Sequence, residues 1–467
     1  MKPRSLIGSF ASWRMGIIVL AIAVALFTGL SRILYPSTLI PLYVLGGIIA
    51  GTIGFILLMN PVWALYIALF IVLLPMGTIP EDLQSILNRS IAVIAASTWL
   101  FDVIFRRRKI FFTPSTLLML IFLAWAILTM FWAENFSAGI TRLQVYVLRF
   151  LVFLFLIPNE IKTRKQLNGL LDTISLSGWV LIISSLIALL NQGYMPGSRF
   201  KLFDANENSL GMLALLAMSA VLIRSSNPSK YKFLRTFIAA FFVLLTIGLV
   251  AVSGSRGGII SLTMTLAAFW FWKPSRKWGN LGLAILLLGI MVAPLIFETT
   301  IDRFAQMSGG SMLGGREILW EAAWQLVSQH PLGGIGIGNA PYSIVPYLTL
   351  LASASGKESV SLHNPILVVW SETGLLGIGL YLAVLASALI SFIKQCLKYG
   401  KRKDHHLMPY FAFISSLFLG YMASWIKGGG MEADFTYFLM LALLLIPSGL
   451  NVDVNLHKSR SKLLVPD

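Results

Sequence analysis

The chain has 467 residues, of which 57% are hydrophobic and only 12% are charged, and its mean hydropathy is +0.81. Because a soluble domain carries about 25% charged residues, this composition excludes a soluble globular enzyme. It also excludes a disordered chain, which requires low hydrophobicity. The composition therefore predicts a polytopic integral membrane protein, all-α in fold class, that forms a single membrane domain over residues 1–467.

Candidate membrane-spanning segments follow one another along most of the chain, since a helix needs about 17–25 apolar residues to cross a bilayer. Some are short, so we expect 12–14 transmembrane helices from the following fourteen segments: 15–32, 39–58, 62–77, 89–105, 114–132, 143–157, 173–190, 208–223, 234–252, 257–272, 281–297, 365–393, 407–426 and 434–447.

The basic residues indicate how these segments are oriented. In a soluble protein, a net charge of +17 and a pI of about 10.0 would raise the question of nucleic acid. With the N-terminus in the cytoplasm, most of the 36 Lys and Arg residues fall in cytoplasmic connections such as 106–109 and 394–403. Positive residues on the cytoplasmic side orient membrane helices, so the charge predicts cytoplasmic N- and C-termini and no nucleic-acid partner. The first segment lacks a convincing cleavage site, and we expect a retained anchor.

One connection, residues 298–364, is far longer than the others and falls on the outer side of the membrane in this topology. Loops of this length in a compact chain are usually functional. Within it, the stretch from Arg316 to Gln329 has the pattern of an amphipathic helix. Its apolar stripe, at i, i+3, i+4 and i+7, consists of Trp320, Ala323, Trp324 and Val327. This helix either rests at the membrane interface or packs on the other helices.

The run from Gly333 to Asn339 superficially resembles a dinucleotide fingerprint. That fingerprint needs a strand before it and a helix opening at its last glycine, so we interpret this run as a turn. The sequence contains no Asp-x-Asp motif, no Walker loop and no His/Asp/Glu cluster with metal-ligand spacing. The single cysteine, Cys396, excludes an intrachain disulfide and a Cys metal cluster. We therefore expect no metal, no ATP and no cofactor.

Charged side chains next to the hydrocarbon usually mark function, so the few on the outer side are candidates for a site. Arg256 lies in a tight hairpin of small residues, where it either offers its fork of donors to a phosphate or snorkels to the interface. Arg316 begins the loop helix, where the macrodipole already favours an anion; the alternative is simple solvation. His363, at the mouth of segment 365–393, is either a general base for a sugar hydroxyl or structural.

Further candidates flank these three. The loop before segment 208–223 holds a mixture of amides, acids and aromatic residues suited to sugar contact, although such loops often only cap a helix. Its members are Arg199, Lys201, Asp204, Asn206, Glu207 and Asn208, flanked by Tyr194 and Phe203. Arg149 lies roughly 10 Å into its segment at 1.5 Å per residue and is a candidate for facing a polar cavity. Asn364 is placed to hold the orientation of His363 by a hydrogen bond. Glu372 either pairs with an arginine or braces a helix-packing face formed by Gly374, Gly377 and Gly379.

The order of these motifs resembles the O-antigen ligase and polymerase superfamily. The matching residues are Ser255-Arg256-Gly257, Gly315-Arg316 with Trp320, Pro331-Leu332 with Gly334 and Gly336, His363-Asn364, and Glu372 with Gly374 and Gly377. Asp204-Ala205-Asn206 also looks like this family's pattern. The resemblance predicts a catalytic region at 191–393, preceded by N-terminal helices over 1–190 and followed by C-terminal helices and a cytoplasmic tail over 394–467.

The resemblance implies a GT-C-like, inverting, metal-independent glycan transferase at the periplasmic face of the inner membrane. Its donor would be a glycan on undecaprenyl pyrophosphate, and its acceptor a hydroxyl of lipid A–core, another lipid or a protein. By this analogy, Arg256 and Arg316 bind the pyrophosphate and stabilise the charge of the leaving group. His363 deprotonates or orients the acceptor hydroxyl.

Two alternatives stay open at this level. A polymerase of the same superfamily would pass the glycan to another lipid-linked repeat, and acceptor choice lies in the shape of the cavity rather than in the shared motifs. A small-anion transporter or lipid flippase is the rival from another class. Transporters tend to place acids or histidines near the bilayer midplane, whereas the acids here fall in loops or near segment ends. No interrupted-helix pair indicates inverted repeats.

Overall fold

The computed structural model describes residues 57, 60–74, 81–107, 109–192, 200, 207–296, 316–350, 359–402, 404, 406–425 and 435–450. Every regular element in these ranges is helical, which confirms the predicted all-α fold class. The longer helices there are α1 (Pro61–Val72), α2 (Glu81–Arg106), α3 (Pro114–Thr129), α4 (Phe136–Arg149), α5 (Arg164–Gln192), α6 (Glu207–Ser226), α7 (Lys232–Val252), α8 (Arg256–Ala268), α9 (Arg276–Ile296), α10 (Arg316–Gln329), α11 (Pro365–Lys401), α12 (Met408–Trp425) and α13 (Phe435–Gly449).

Six of the described helices are long and apolar enough to cross a membrane, which confirms a polytopic membrane protein. They are Pro114–Trp132, Phe136–Glu160, Arg164–Asn191, Ser209–Ser226, Lys232–Val252 and Pro365–Lys401. Three shorter apolar helices accompany them: Pro61–Val72, Gly257–Phe271 and Phe435–Gly449. Segment 15–32 and nearly all of 39–58 lie outside the described residues, so the number of 12–14 spans stays a prediction.

The centre of the bundle is formed by helices that are buried on nearly every side. In α13, all residues from Thr436 to Pro447 are buried, and this helix contacts α11 and α12. The apolar window of α6 is 83% buried, whereas the windows of the other five long apolar helices are only 33–44% buried. A helix that is apolar all round needs neighbours on every side, which α6 and α13 have at the centre. The outer helices keep apolar faces for lipid.

The helix that contains the predicted segment 143–157 extends beyond it at both ends. Helix α4 begins at Phe136, because the side chain of Asn135 caps it by accepting a hydrogen bond from the amide of Ala138 (2.9 Å). The chain continues as a π-helix, Phe150–Leu156, and a final α-helical turn, Ile157–Glu160. Arg149 therefore lies about 20 Å along the helix from its start at 1.5 Å per residue, and its depth in the membrane stays a prediction.

A second, smaller core lies beyond the main bundle, within the long predicted loop. It joins α10, the short helices Ala340–Ser343 and Val345–Leu350, and the start of α11. Its buried members are Ala322, Ala323, Ala340, Ile344, Leu348, Leu362 and Val368. We refer to this unit as the cap. The serine- and glycine-rich run that precedes α10 in the sequence lies outside the described residues.

The predicted loop helix is confirmed with the expected bounds, as α10. Of the two alternatives for its apolar stripe, packing on the other helices is what the structure shows, since Ala323 and Val327 are buried and α10 packs against α11. Trp324 is 54% exposed and meets Trp370 of α11 edge to face, with ring centroids 5.6 Å apart. The buried face is thus rotated slightly from the predicted stripe.

Candidate functional site

His363 lies at the junction of the cap and α11. On one side, Leu362 is fully buried in the cap core. On the other, Asn364 caps α11, its side-chain oxygen accepting from the amides of Ile366 (3.0 Å) and Leu367 (3.2 Å) instead of bonding to His363 as predicted. His363 itself has φ 52°, a left-handed conformation that is uncommon outside glycine and often found at functional sites. Because both neighbours are fixed, the backbone sets the direction of the half-buried imidazole.

Arg316 is the first residue of α10 and is half-buried. The first turn of a helix presents amide groups without intrahelical partners and the positive end of the macrodipole. Arg316 adds a full positive charge at that position, which the neighbouring Glu317 partly offsets. Because α10 packs against α11, the cap holds Arg316 and His363 in one structural unit.

Arg256 is the first residue of α8, directly after the tight turn that the sequence predicts. Ser255 is buried and caps the helix, its hydroxyl accepting from the amide of Gly258 (3.0 Å). The turn is also tied to the segment before α6, because the amide of Phe200 donates to the carbonyl of Val252 (3.4 Å). Three of the predicted sugar-contact residues in that segment, Arg199, Asp204 and Asn206, lie outside the described residues, as does Lys201.

Helix α11 is broken at Gly374, where φ is 68° and ψ is −170°. The sequence does not predict this break. Interrupted helices free backbone polar groups, which are costly to leave without partners inside a membrane protein. Three backbone hydrogen bonds join the break to the glycine-rich turn: Ile335 N to Ser371 O (2.8 Å), Gly336 N to Glu372 O (3.0 Å) and Leu375 N to Pro331 O (2.9 Å). The turn therefore supplies hydrogen-bond partners for the backbone groups on both sides of the break.

The same turn is held from the other side by the end of α3 and the start of α4. Two contacts come from the end of α3 and the residues just after it: Trp132 Nε1 donates to Gly334 O (3.1 Å), and Thr129 Oγ1 accepts from Ile337 N (3.1 Å). Trp125 Nε1 of α3 donates to Thr373 O of α11, next to the break (2.7 Å). The side chain of Asn339 accepts from the amide of Asn135 (2.7 Å). The interpretation of this run as a structural turn is confirmed.

Glu372, two residues before the break, is 1% exposed and forms an ion pair with Arg142 of α4 at 3.9 Å. Of the two predicted roles of Glu372, pairing with an arginine is the one that the structure shows. Gly379, assigned to a packing face, lies in open space, since a Cβ added at this residue would meet nothing within 4 Å. Arg142 is not among the residues predicted from the sequence, although it stands seven residues before Arg149, on the same helix face.

Arg149 is half-buried, and its guanidinium lies 5.6 Å from the centroid of the Phe435 ring. This geometry allows a cation–π interaction with the central helix α13. The π-helix Phe150–Leu156 starts directly after Arg149. Such segments frequently occur at functional sites, which keeps Arg149 a candidate.

Arg142→Ala is expected to destabilise the protein more than Glu372→Gln. The first change removes the cation that pairs with the buried carboxylate of Glu372, and breaking a buried pair in this way costs about 3–5 kcal/mol. The second leaves Arg142, whose side chain is 21% exposed and therefore hydrated. The unfolding temperatures of the two purified variants in detergent check this order. The double variant should recover part of the loss; equal or reversed losses in the single variants would contradict a buried ion pair.

Within the described ranges, no group of three or more His, Cys, Asp or Glu side chains is arranged to hold a metal ion. Arg316 and His363 belong to elements that meet in the cap, and Arg142 pairs with Glu372 two residues before the break in α11. The fold and this site define a polytopic, all-helical membrane protein with a cap built on one interrupted helix.

Residues 238–382 match the family model described as O-antigen ligase. The match runs from α7 through the cap to the first half of α11 and contains Arg256, Arg316 and His363. Together with the relatives described next, this match supports a relationship to the O-antigen ligase superfamily.

An O-antigen ligase of Salmonella typhimurium is 28% identical over 259 residues, which cover 52% of this chain and 58% of that protein. An uncharacterized protein of Haemophilus influenzae is 24% identical over 207 residues, covering 40% of this chain and 51% of that protein. The chain thus spans little more than half the length of the curated relatives that it matches. Among solved structures, a chain of a peptidoglycan synthase complex aligns over 71% of this chain and 96% of its own length, with 16% identity and a TM-score of 0.38, which is too low to bear on the fold.

Proposed function

We propose that this protein is a membrane glycosyltransferase of the O-antigen ligase type, which moves a glycan from undecaprenyl pyrophosphate to an acceptor hydroxyl. The cap is the observation that carries the proposal. It fixes His363 through the backbone on both sides and places Arg316 at the start of a helix that packs on the same element. The reaction occurs at the periplasmic face of the inner membrane, in a GT-C-like catalytic region over 191–393.

The proposed mechanism is a single displacement. The guanidinium forks of Arg256 and Arg316 bind pyrophosphate oxygens and neutralise the negative charge that develops as the bond to the anomeric carbon breaks. His363 accepts the proton of the acceptor hydroxyl. The hydroxyl oxygen attacks the anomeric carbon from the face opposite the leaving pyrophosphate, which inverts the configuration of that carbon. No metal takes part, because the two arginines supply the charge that a metal would otherwise provide.

The remaining predicted residues have supporting roles in this proposal. Arg199, Asp204 and Asn206 contact the sugar. Asn364 positions His363 by capping α11, and Glu372, paired with Arg142, braces the break in that helix. Arg149, at the end of α4, contacts the donor or the acceptor in this proposal.

A ligase reaction is preferred to a polymerase reaction because the Salmonella relative is an O-antigen ligase. The acceptor is then lipid A–core, or another lipid or protein, rather than a second lipid-linked repeat. The break in α11 does not favour a transporter. The half-helices of transporters point into a cavity that holds the substrate, whereas the groups freed at Gly374 bond to the glycine-rich turn of the same chain.

Gel analysis of surface glycan from a strain that carries His363→Ala tests the proposal. Loss of all attached chains, with polymer still on the carrier lipid, is the result expected of a ligase. Products with a single repeat would reassign the protein as a polymerase. Unchanged surface glycan, together with uptake of radiolabelled substrate into proteoliposomes that contain the protein, would overturn both in favour of a small-anion transporter or lipid flippase.

A further inference from the structure

At one end of the bundle, several connections meet around a polar cavity of about 360 Å³. Its walls come from the start of α5, the end of α6 with the turn that follows, the start of α7 and the turn before α12. The polar residues that line it include Arg164, Asn168, Arg224, Asn227, Arg235 and His406. We refer to this cavity as the basic pocket.

The basic pocket and the proposed active site lie at opposite ends of the bundle. Helix α7 begins beside the pocket and ends at the turn that precedes Arg256, about 31 Å away at 1.5 Å per residue. Helix α11 likewise starts next to His363 and runs to Lys401, shortly before the pocket residue His406. A ligand in the basic pocket is therefore not the reacting substrate.

Two of the three guanidinium groups in the pocket are held in place by acids. Arg224 donates through Nε and Nη2 to the two carboxylate oxygens of Asp172 (2.5 and 3.1 Å). Arg164 pairs with Asp404. Among the ion pairs of the described residues, none includes Arg235. Two carboxylates thus balance two arginines, and the half-buried Arg235 leaves the pocket with a net positive charge.

We infer that the basic pocket binds a phosphate-bearing anion, and that the phosphate belongs to the headgroup of an anionic membrane lipid. Guanidinium groups match phosphate oxygens in geometry as well as charge. The pocket volume lies near the lower end of the roughly 300–1,000 Å³ of small-ligand sites, as suits a headgroup without its chains. The pocket also opens between helix ends, where basic clefts recognise anionic headgroups. In the proposed topology it faces the cytoplasmic leaflet.

Native mass spectrometry of the full-length protein, released from a neutral detergent, tests this inference. The protein is titrated separately with dihexanoyl phosphatidylglycerol, with dihexanoyl phosphatidylcholine and with inorganic phosphate. We expect phosphatidylglycerol to bind more tightly than phosphatidylcholine, whose chains are identical. Arg235→Gln should weaken this binding by about tenfold, the loss of one charge-assisted contact. Lys232→Gln is the matched control, since Lys232 is exposed on the same helix and does not line the pocket.

His406→Gln provides a second variant if Arg235→Gln fails to fold, because His406 is exposed and lines the pocket. It should weaken binding in the same direction. Binding of inorganic phosphate that is lost in the Arg235 variant would support phosphate recognition and assign the ligand to soluble phosphate instead of a lipid. Equal binding of the two lipids without phosphate binding, or equal losses in the Arg235 and Lys232 variants, would overturn the inference.

Discussion

Gly374→Ala is expected to destabilise the protein by about 3 kcal/mol or more, because two costs coincide at this residue. Its backbone, with φ 68° and ψ −170°, lies in a region that is essentially restricted to glycine. A Cβ there would lie 1.9 Å from the carbonyl oxygen of Leu332 and 2.3 Å from its carbonyl carbon. Those are backbone atoms of the turn that fills the break, so relief would require the turn to leave α11. The unfolding temperature of the purified variant measures the effect.

Gly379→Ala is the matched control for this change. Gly379 lies in the same helix, but a Cβ at this position would meet nothing within 4 Å. Alanine is favoured over glycine inside a helix by about 0.5–1 kcal/mol, so this variant should be as stable as the wild type or slightly more stable. Similar unfolding temperatures for the two variants would show that the glycine-rich turn does not hold α11 in its broken form.

His363→Asn is expected to lower glycan transfer by about 10²–10⁴-fold, the usual effect of removing a general base. Asparagine suits this experiment because it adopts the left-handed backbone conformation of His363 more readily than alanine does. The junction between the cap and α11 should therefore stay intact. Turnover of a lipid-linked oligosaccharide with saturating acceptor measures the effect, and the unfolding temperature of the same preparation shows whether the variant is folded.

His330→Asn is the control for His363. The side chain of His330 is exposed at the end of α10, in the cap but outside the proposed machinery. Its replacement should leave turnover close to that of the wild type. A folded His363→Asn variant that retains full turnover would remove the base assignment, although transfer itself could still proceed through the two arginines.

Features that depend on neighbouring residues were predictable from the sequence. The bounds of α10 follow from an apolar pattern closed by His330-Pro331 and are confirmed. The tight turn before Arg256 is predicted by the small residues around it, and the structure adds its mechanism, capping by Ser255. The all-helical membrane fold follows from the long apolar segments, because a spanning helix needs about 20 consecutive apolar residues and a spanning strand only about 9–11.

Features that depend on distant residues were not predictable from one sequence. The break at Gly374 exists because the turn at 331–336 supplies partners for its backbone, and no local pattern distinguishes this glycine from Gly379, which lies in open space. The pairing of Arg142 with Glu372 joins helices more than two hundred residues apart in the chain. Likewise, the start of α4 depends on the hydrogen bond from the amide of Ala138 to the side chain of Asn135, and a hydropathy pattern does not predict that bond.

The central claim is that two arginines, without a metal, carry the charge of the leaving pyrophosphate. Its most direct test is glycan transfer by purified protein in EDTA, from undecaprenyl-pyrophosphate oligosaccharide to candidate acceptors. Wild type is compared with Arg256→Ala, Arg316→Ala and the control Arg276→Ala, which removes an exposed arginine at the start of α9. We predict turnover in EDTA that the first two substitutions abolish and the third preserves. Turnover that requires a divalent metal, or that survives in both folded arginine variants, would contradict the account.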